Sequence, residues 1–485
     1  MKLTIVGLGP GDRDDLSRKA WRVLKQAQQV YLRTSQHGCV PCLPQGEVTY
    51  HSFDTLYERA DDFETVYATI VDQLLSAARH NDIVYAVPGD PMVGESTTLR
   101  ILQQAPAAGI EVEIVNGISF IEPMLTLLGI DALEGLQVLD GLALAAMHHP
   151  PINPDYPALI GQVYSRAVAS NVKLTLMNQY PDEFPVQLIH DAGTENARVE
   201  AVPLYAIDRS NAIAHTTSLY VPALGEMASF EQFQEIIAHL RAPEGCPWDR
   251  KQTHESLRQY LLEEAYEVLE AIDAGDTEEL SRELGDLLLQ IVLHTQIAID
   301  DGEFYMSDIL RHINAKMVRR HPHVFATTLV ADAEEVVANW EAIKAEEKAN
   351  KGQAEHPESL LDSVPKALPA LLLSLKYQDR AARVGFDWDD IADIRSKIIE
   401  ELDEVMNAEE PIDRAEEMGD LLFVIVNWAR RLDIDPENAL RLASAKFYRR
   451  FAYIEEQVRN ADRSMTDYTL DELDSFWNAA KSNGL

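Results

Sequence analysis

Glu263-Glu264-Ala265-Tyr266-Glu267 with Glu283-Leu284-Gly285-Asp286, and then Glu400-Glu401-Leu402-Asp403-Glu404 with Glu417-Met418-Gly419-Asp420, are one acidic pattern written twice. Glu264 and Glu267 are three residues apart, as are Glu283 and Asp286, Glu401 and Glu404, and Glu417 and Asp420. On an α-helix that spacing puts both members of a pair on one face. Two such helices side by side gather four carboxylates, which repel one another unless a cation neutralises them. All-oxygen ligand sets suit hard ions such as Mg²⁺ or Mn²⁺. The pattern therefore predicts two metal sites, one from Glu264, Glu267, Glu283 and Asp286 and one from Glu401, Glu404, Glu417 and Asp420.

Paired glutamates at this spacing are also common on solvated helical faces. Here each Glu-x-x-Asp lies in an apolar run, Leu280 to Leu293 or Met418 to Val426, where an unpaired carboxylate is costly to bury. Apolar residues recur at helical spacing through Leu280, Leu284, Leu287, Leu288, Ile291 and Val292, and through Met418, Leu421, Leu422, Ile425 and Val426. These stripes are expected to bury bundle cores. The repeat also reaches beyond the acids. Lys316-Met317-Val318-Arg319-Arg320 and Lys446-Phe447-Tyr448-Arg449-Arg450 share Lys-x-x-Arg-Arg spacing, and Trp340 and Trp477 follow in order. Acids, basic cluster and tryptophan in the same order argue for two related modules. Metal, lysine and arginine together suit a triphosphate, with water attacking the α-phosphorus, a carboxylate taking its proton and a tryptophan available to stack on a base.

Composition bounds the rest. The 485 residues should hold about three domains at the usual 100 to 200 residues each. With 42 Lys and Arg against 80 Asp and Glu, the net charge of −38 would repel a phosphate polymer, so no nucleic-acid partner is expected. A small anionic substrate is still compatible through a bound cation. The three cysteines, Cys39, Cys42 and Cys246, are too few for a disulfide framework, and Cys39-x-x-Cys42 has no second ligand pair nearby. With no signal-peptide core and no apolar run of spanning length, a cytoplasmic protein without membrane contact is expected.

Before about residue 226 the chain alternates short β-runs with helical stretches; afterwards it reads as helix after helix. Leu3–Val6, Ile83–Val87, Val112–Val115 and Lys173–Met177 read as strands of an α/β sheet. Three glycine-bearing turns follow predicted strands, Gly7-Leu8-Gly9-Pro10-Gly11-Asp12, Val87-Pro88-Gly89-Asp90-Pro91 and Val115-Asn116-Gly117-Ile118-Ser119. Loops at strand carboxyl ends make a ligand crevice. The first is not a phosphate-binding loop of the Walker type, because no Gly-Lys-Ser/Thr follows. A polar stretch from Glu346 to Pro357 separates the two acidic copies. The expected domains are 1–225, 226–347 and 358–485, with a linker at 348–357.

Gly245-Cys246-Pro247-Trp248-Asp249, the acid pairs and Arg320-His321-Pro322-His323-Val324-Phe325 resemble the MazG family over about residues 228 to 480. The resemblance implies an all-α, Mg²⁺-dependent nucleoside triphosphate pyrophosphohydrolase that yields the monophosphate and pyrophosphate, usually as a homodimer. It makes Glu401, Glu404, Glu264 and Glu267 the catalytic acids. It carries Lys397, Lys446, Arg450 and Trp477 over as nucleotide contacts, with Lys316 and Arg320 matching in the first copy. The second copy, introduced by Val384-Gly385-Phe386-Asp387-Trp388, is the expected active one. The first 224 residues or so resemble the tetrapyrrole methylases, two-lobed α/β proteins that bind S-adenosylmethionine. That likeness places Pro10, Gly11, Gly89, Asp90, Val93, Ser119 and Phe120 in the cofactor pocket; Asn116 stands where proline is common. The whole chain resembles the bacterial fusion of the two domains known as YabN-type. An alternative reading makes it chiefly an S-adenosylmethionine-dependent methyltransferase with the helices as a dimerisation scaffold, and a third makes the amino-terminal part a sensor that regulates hydrolysis.

Overall fold

The computed structural model describes residues 1–485 except 58–61, 226, 351–358 and 363. The chain forms two compact units, Met1–Ile309 and Leu310–Leu485.

The first unit opens with five parallel strands, β1 (Lys2–Gly7), β2 (Gln29–Leu32), β3 (Thr49–Ser52), β4 (Ile83–Val87) and β5 (Glu111–Val115), in the order β3-β2-β4-β1-β5. Alternate side chains feed opposite faces. Leu3, Ile5, Ile83, Tyr85 and Val87 enter one core with Ile101 of helix Ser96–Gln104. Val6, Val84 and Ala86 enter another with Ala20 and Leu24 of helix Arg18–Gln26. Both faces are covered, so these strands read as continuous apolar runs. The helices after β1 and β4 lie on opposite faces, which opens a crevice between the carboxyl ends of these adjacent strands.

A second sheet of β6 (Gln137–Asp140), β7 (Ala158–Gly161), β8 (Pro185–His190), β9 (Arg198–Pro203) and β10 (Ser218–Val221) runs β6-β7-β10-β8-β9. Only β6 and β7 pair in parallel. The strand expected at 173–177 is instead the end of helix Arg166–Leu176, capped by Ser165, whose hydroxyl accepts from the Val168 N–H. Val168, Ala169, Val172, Thr175 and Leu176 are buried while Leu174 is 59% exposed. That is helical spacing, visible only in a window longer than the five residues that look β-like.

The helical part of this unit, Phe230–Arg241, Arg258–Ala274 and Thr277–Asp301, closes on Ile237, Leu257, Val292, Leu293 and Ile297. Its first helix is tied to the sheets by Asp155, whose carboxylate accepts from the N–H groups of Ala228 and Ser229 at 2.6 and 3.1 Å. The boundary expected at Glu226 falls on a residue outside the described ones.

The second unit holds helices Ala333–Asn350, Ala370–Ala382, Ile391–Asn407, Pro411–Arg431, Pro436–Asn460 and Leu470–Ser482. Helix Ala333–Asn350 continues three residues into the segment expected as a linker; 351–357 lie outside the described residues. The apolar stripes depart from expectation in both units. Val292, Leu421 and Val426 are buried, but Leu284 is 49% exposed, Leu288 37%, Ile291 43%, Met418 44%, Leu422 47% and Ile425 39%. Each stripe is wider than the face its own chain covers. Among the described residues no helix is long and apolar enough to cross a membrane.

Candidate metal centres and a strand-end crevice

Helices Arg258–Ala274 and Thr277–Asp301 pack against each other, as do Ile391–Asn407 and Pro411–Arg431. The antiparallel hairpins turn at Gly275, which takes the left-handed conformation a helix end favours, and at Ala408–Glu410 before Pro411. Each pairing brings the acids together. Glu264, Glu267 and Glu283 offer carboxylate oxygens all within 4.8 Å of one another, and so do Glu401, Glu404 and Glu417. The expected fourth acids, Asp286 and Asp420, fall outside these groups of converging oxygens, though each is near enough to act on its neighbour's carboxyl. Burial, then Glu267 and Asp286, raise the Glu264 carboxyl above its ordinary value. Glu417 is raised by burial, then by Glu404, Glu401 and Asp420. Glu283 is raised by burial and by Glu267. Mutual repulsion of this kind is what a divalent cation relieves.

Burial is less uniform than the apolar surroundings led one to expect. Glu401 is buried at 5% exposure, Glu264, Glu283 and Glu417 are half-buried, and Glu267 and Glu404 are exposed. The reason is the outward half of each stripe. Glu401 Oε1 is 2.8 Å from Lys397 Nζ, but Glu401 Oε2 is buried with no hydrogen-bond partner. An orphaned carboxylate oxygen on a residue clustered with two other glutamates fits a hard cation and is costly otherwise. Gly285 and Gly419 sit mid-helix between the ligand positions, where a Cβ would meet nothing within 4 Å. Glycine there costs a helix about 0.5–1 kcal/mol, and no contact within the chain requires it.

The basic residues are arranged differently from the acids. Lys446 and Arg450 share helix Pro436–Asn460, and Lys446 is exposed. The Arg450 guanidinium stands 5.3 Å over the Trp477 ring and its Nε donates to the Leu485 carbonyl at 2.8 Å. Trp477 also packs on Phe447 at 5.4 Å. Among the described residues no hydrogen bond or ion pair joins Lys446, Arg450 or Trp477 to the acids. Lys316 is exposed, whereas Arg320 stacks 4.9 Å over Trp340 and donates to Glu347 Oε2 at 2.7 Å. Hydrogen bonds from Arg320 and then Arg319 hold the Glu347 carboxyl at about 2.

A carboxyl lowered by folding adds stability above its unfolded value, about 4.3, and the gain fades as pH falls toward about 2. Glu347→Gln is therefore expected to melt below the wild type at pH 7, with the difference shrinking from pH 5 to pH 3. Calorimetry of both proteins across that range checks it.

The three strand-end turns of the first sheet meet through their backbones. Gly9 N–H donates to Gly89 O at 3.2 Å, and Gly89 N–H returns to Gly9 O at 2.7 Å. A Cβ on Gly117 would lie 2.4 Å from Gly89 O, and one on Gly7 would lie 2.5 Å from the same atom. Asp90 is buried, and its oxygens accept from Met92 N–H at 2.8 Å, Asn116 Nδ2 at 3.0 Å and Gly117 N–H at 3.0 Å. Asn116 thus clamps its loop where a proline could not donate. Ser119 accepts from Ile121 N–H at 2.9 Å and donates to Glu122. Asp90 and Ser119 hold the loops in shape, Val93 N–H donates to the Asp90 carbonyl at 3.1 Å, and the Phe120 ring lies against Gly94 and Gly161. From the loop between β8 and β9, Gly193 comes so close to Pro10 that a Cβ would meet it at 2.6 Å, and Phe120 fills the space over Gly161 at the end of β7. Gln162 and Asp191, with φ of 60° and 53°, end β7 and β8 beside these glycines. No sequence motif marked them; strained non-glycine backbone at strand ends is legible only in coordinates.

The tetrapyrrole (corrin/porphyrin) methylase family model matches residues 2–208, and the MazG nucleotide pyrophosphohydrolase domain model matches residues 252–325, the first acidic copy. A nucleoside triphosphate pyrophosphohydrolase/pyrophosphatase MazG of Thermotoga maritima is 44% identical over 252 residues, 52% of this chain and 95% of that one. A nucleoside triphosphate pyrophosphohydrolase of Escherichia coli K12 is 44% identical over 261 residues, 53% of this chain and 98% of that one. The uncharacterized protein YabN of Bacillus subtilis is 44% identical over 488 aligned residues, 99% of this chain and 98% of its own. Matched across nearly the whole of both chains, the protein belongs to the YabN family, which joins a tetrapyrrole methylase domain to a MazG domain.

Proposed function

We propose that the protein is a nucleoside triphosphate pyrophosphohydrolase, releasing the monophosphate and pyrophosphate, with Mg²⁺ or Mn²⁺ as its cofactor. The observation that carries this is the convergence of Glu401, Glu404 and Glu417 carboxylate oxygens within 4.8 Å of one another, together with the buried, unpaired Glu401 Oε2. The 44% identity to proteins named for that activity supports it. A cation held by these acids and Asp420 would neutralise phosphate oxygens and make the attacked phosphorus more electrophilic.

The chain's own residues do the rest. Glu404, exposed and in the cluster, accepts the proton of the attacking water as its oxygen bonds to the α-phosphorus and the bond to the pyrophosphate oxygen breaks. Lys446 and Arg450 offset the remaining phosphate charge, and the Trp477–Phe447 pair offers an aromatic edge to a base. Glu264, Glu267, Glu283 and Asp286 are the corresponding acids of the first copy. The functional domains are 1–225, 226–347 and 358–485, with the linker at 348–357. Incubated with a nucleoside triphosphate and Mg²⁺, the full chain should release pyrophosphate; release of orthophosphate alone would reject the assignment.

The strand-end crevice supports a second role, binding of S-adenosylmethionine by Pro10, Gly11, Gly89, Val93 and Phe120, with Asp90 and Ser119 as loop braces. The glycines let a ligand approach the backbone there. The outward apolar stripes through Leu284, Leu288 and Ile291 and through Met418, Leu422 and Ile425 support a homodimer, since faces of this kind mark interfaces. Sedimentation equilibrium should read about twice the 54.4 kDa of one chain; a mass of one chain at micromolar concentration would reject the dimer.

A further inference from the structure

The two acid clusters differ in one built-in charge. In the second copy Lys397, one helical turn before Glu401, places its ammonium 2.8 Å from Glu401 Oε1 and 2.8 Å from Glu400 Oε1. In the first copy the residue one turn before Glu264 is Tyr260, which packs into the apolar core with Trp248 at its edge. Among the described residues no lysine or arginine pairs with Glu264, Glu267 or Glu283. Glu401 is also the most buried of the six clustered glutamates, and its second oxygen has no partner.

We propose that Lys397 is a resident counter-ion that must leave Glu401 when a divalent cation arrives, so the second copy takes its metal together with a polyphosphate while the first copy takes metal alone. The inference rests on the metal reading above and deepens it. The physical argument is charge balance. Three carboxylates with one ammonium already have part of the neutralisation a cation would supply, so a metal entering at the unpartnered Glu401 Oε2 brings a like charge against the ammonium held on Oε1 of the same carboxylate. A polyphosphate reverses this, because its oxygens accept both the metal and the released ammonium. Metal and nucleotide affinities are then coupled in the second copy, and by linkage the coupling is reciprocal. The flexible four-carbon stem of lysine allows the transfer without backbone movement. Lys397 acts here as a positioning residue, and the first copy, lacking it, has no such coupling.

Binding of Mn²⁺ to the full chain, read by electron paramagnetic resonance of the free ion, tests this with and without a nonhydrolysable nucleoside triphosphate. The wild type should show a tight class lost in Glu283→Gln and a class about tenfold weaker lost in Glu417→Gln. Nucleotide should tighten only the weak class, by about tenfold, within the usual range of coupling. Lys397→Met should bind the second ion about as tightly without nucleotide as the wild type does with it, and Lys397→Arg should restore part of the dependence. Two equivalent classes in the wild type, or a Lys397→Met protein with unchanged nucleotide dependence, would overturn the inference and leave the metal sites standing. Absence of any Mn²⁺ binding, with or without nucleotide, would overturn the metal reading itself. The wild-type comparison decides the matter even if the methionine variant does not fold.

Discussion

Glu401→Gln in the full-length protein should lower pyrophosphate release about 10²- to 10⁴-fold, the usual range for losing a positioned acid-base or ligand carboxylate. The substitution keeps the shape of the side chain and removes its charge at the most buried member of the cluster, whose Oε2 has no protein partner. An amide there offers a donor where a cation needs an acceptor. The Glu401→Gln, Glu264→Gln double variant should be no more active than Glu401→Gln alone. Wild-type rates in the double variant would detach the activity from both clusters. Folding can be separated from chemistry with Glu417→Gln. Burial, Glu404, Glu401 and Asp420 raise the Glu417 carboxyl, so its removal relieves repulsion. That variant should melt no lower than the wild type in metal-free buffer while losing the stabilisation that added Mn²⁺ gives the wild type.

Gly117→Ala should produce the second large effect, in the other half of the chain. The added methyl would lie 2.4 Å from Gly89 O and 3.0 Å from Gly7 C, all backbone atoms that cannot rotate away. The loops must separate, breaking the contacts of Asp90 with Asn116 and Gly117. Overpacking of this kind costs about 1–3 kcal/mol or more. Calorimetry should show S-adenosylmethionine binding to the wild type and at least a tenfold loss in the variant, since 1.4 kcal/mol is worth that factor. Gly46→Ala, a glycine with no atoms within 4 Å of its Cβ but a φ of 130°, should leave cofactor affinity unchanged. Equal affinities in wild type and Gly117→Ala would mean the crevice is not the binding site.

The acid clusters were legible because their signal is local. Residues at i and i+3 on a helix face the same way whatever the tertiary context, so the pairing of Glu401 with Glu404 and of Glu417 with Asp420 needed only helix periodicity. The same holds for β1, β4 and β5, buried on both faces and therefore apolar throughout. Short windows failed where two periodicities look alike. Lys173–Met177 is apolar enough for a strand, and only the buried positions at 168, 169, 172, 175 and 176 identify a helix. The outward halves of the stripes at Leu284 and Leu422 carry no sequence mark that separates core from exposed apolar surface.

Sequence by itself determined the duplicated acidic pattern, the change from α/β to all-helical composition, and the glycine turns at strand ends, because each depends on neighbours a few positions away. Tertiary structure alone decided which oxygen is buried without a partner, that Tyr260 faces a core, and that Asp90 braces the distant loop at Asn116 and Gly117. Those outcomes depend on distances between segments separated along the chain, set by packing of whole elements, and no local pattern encodes them.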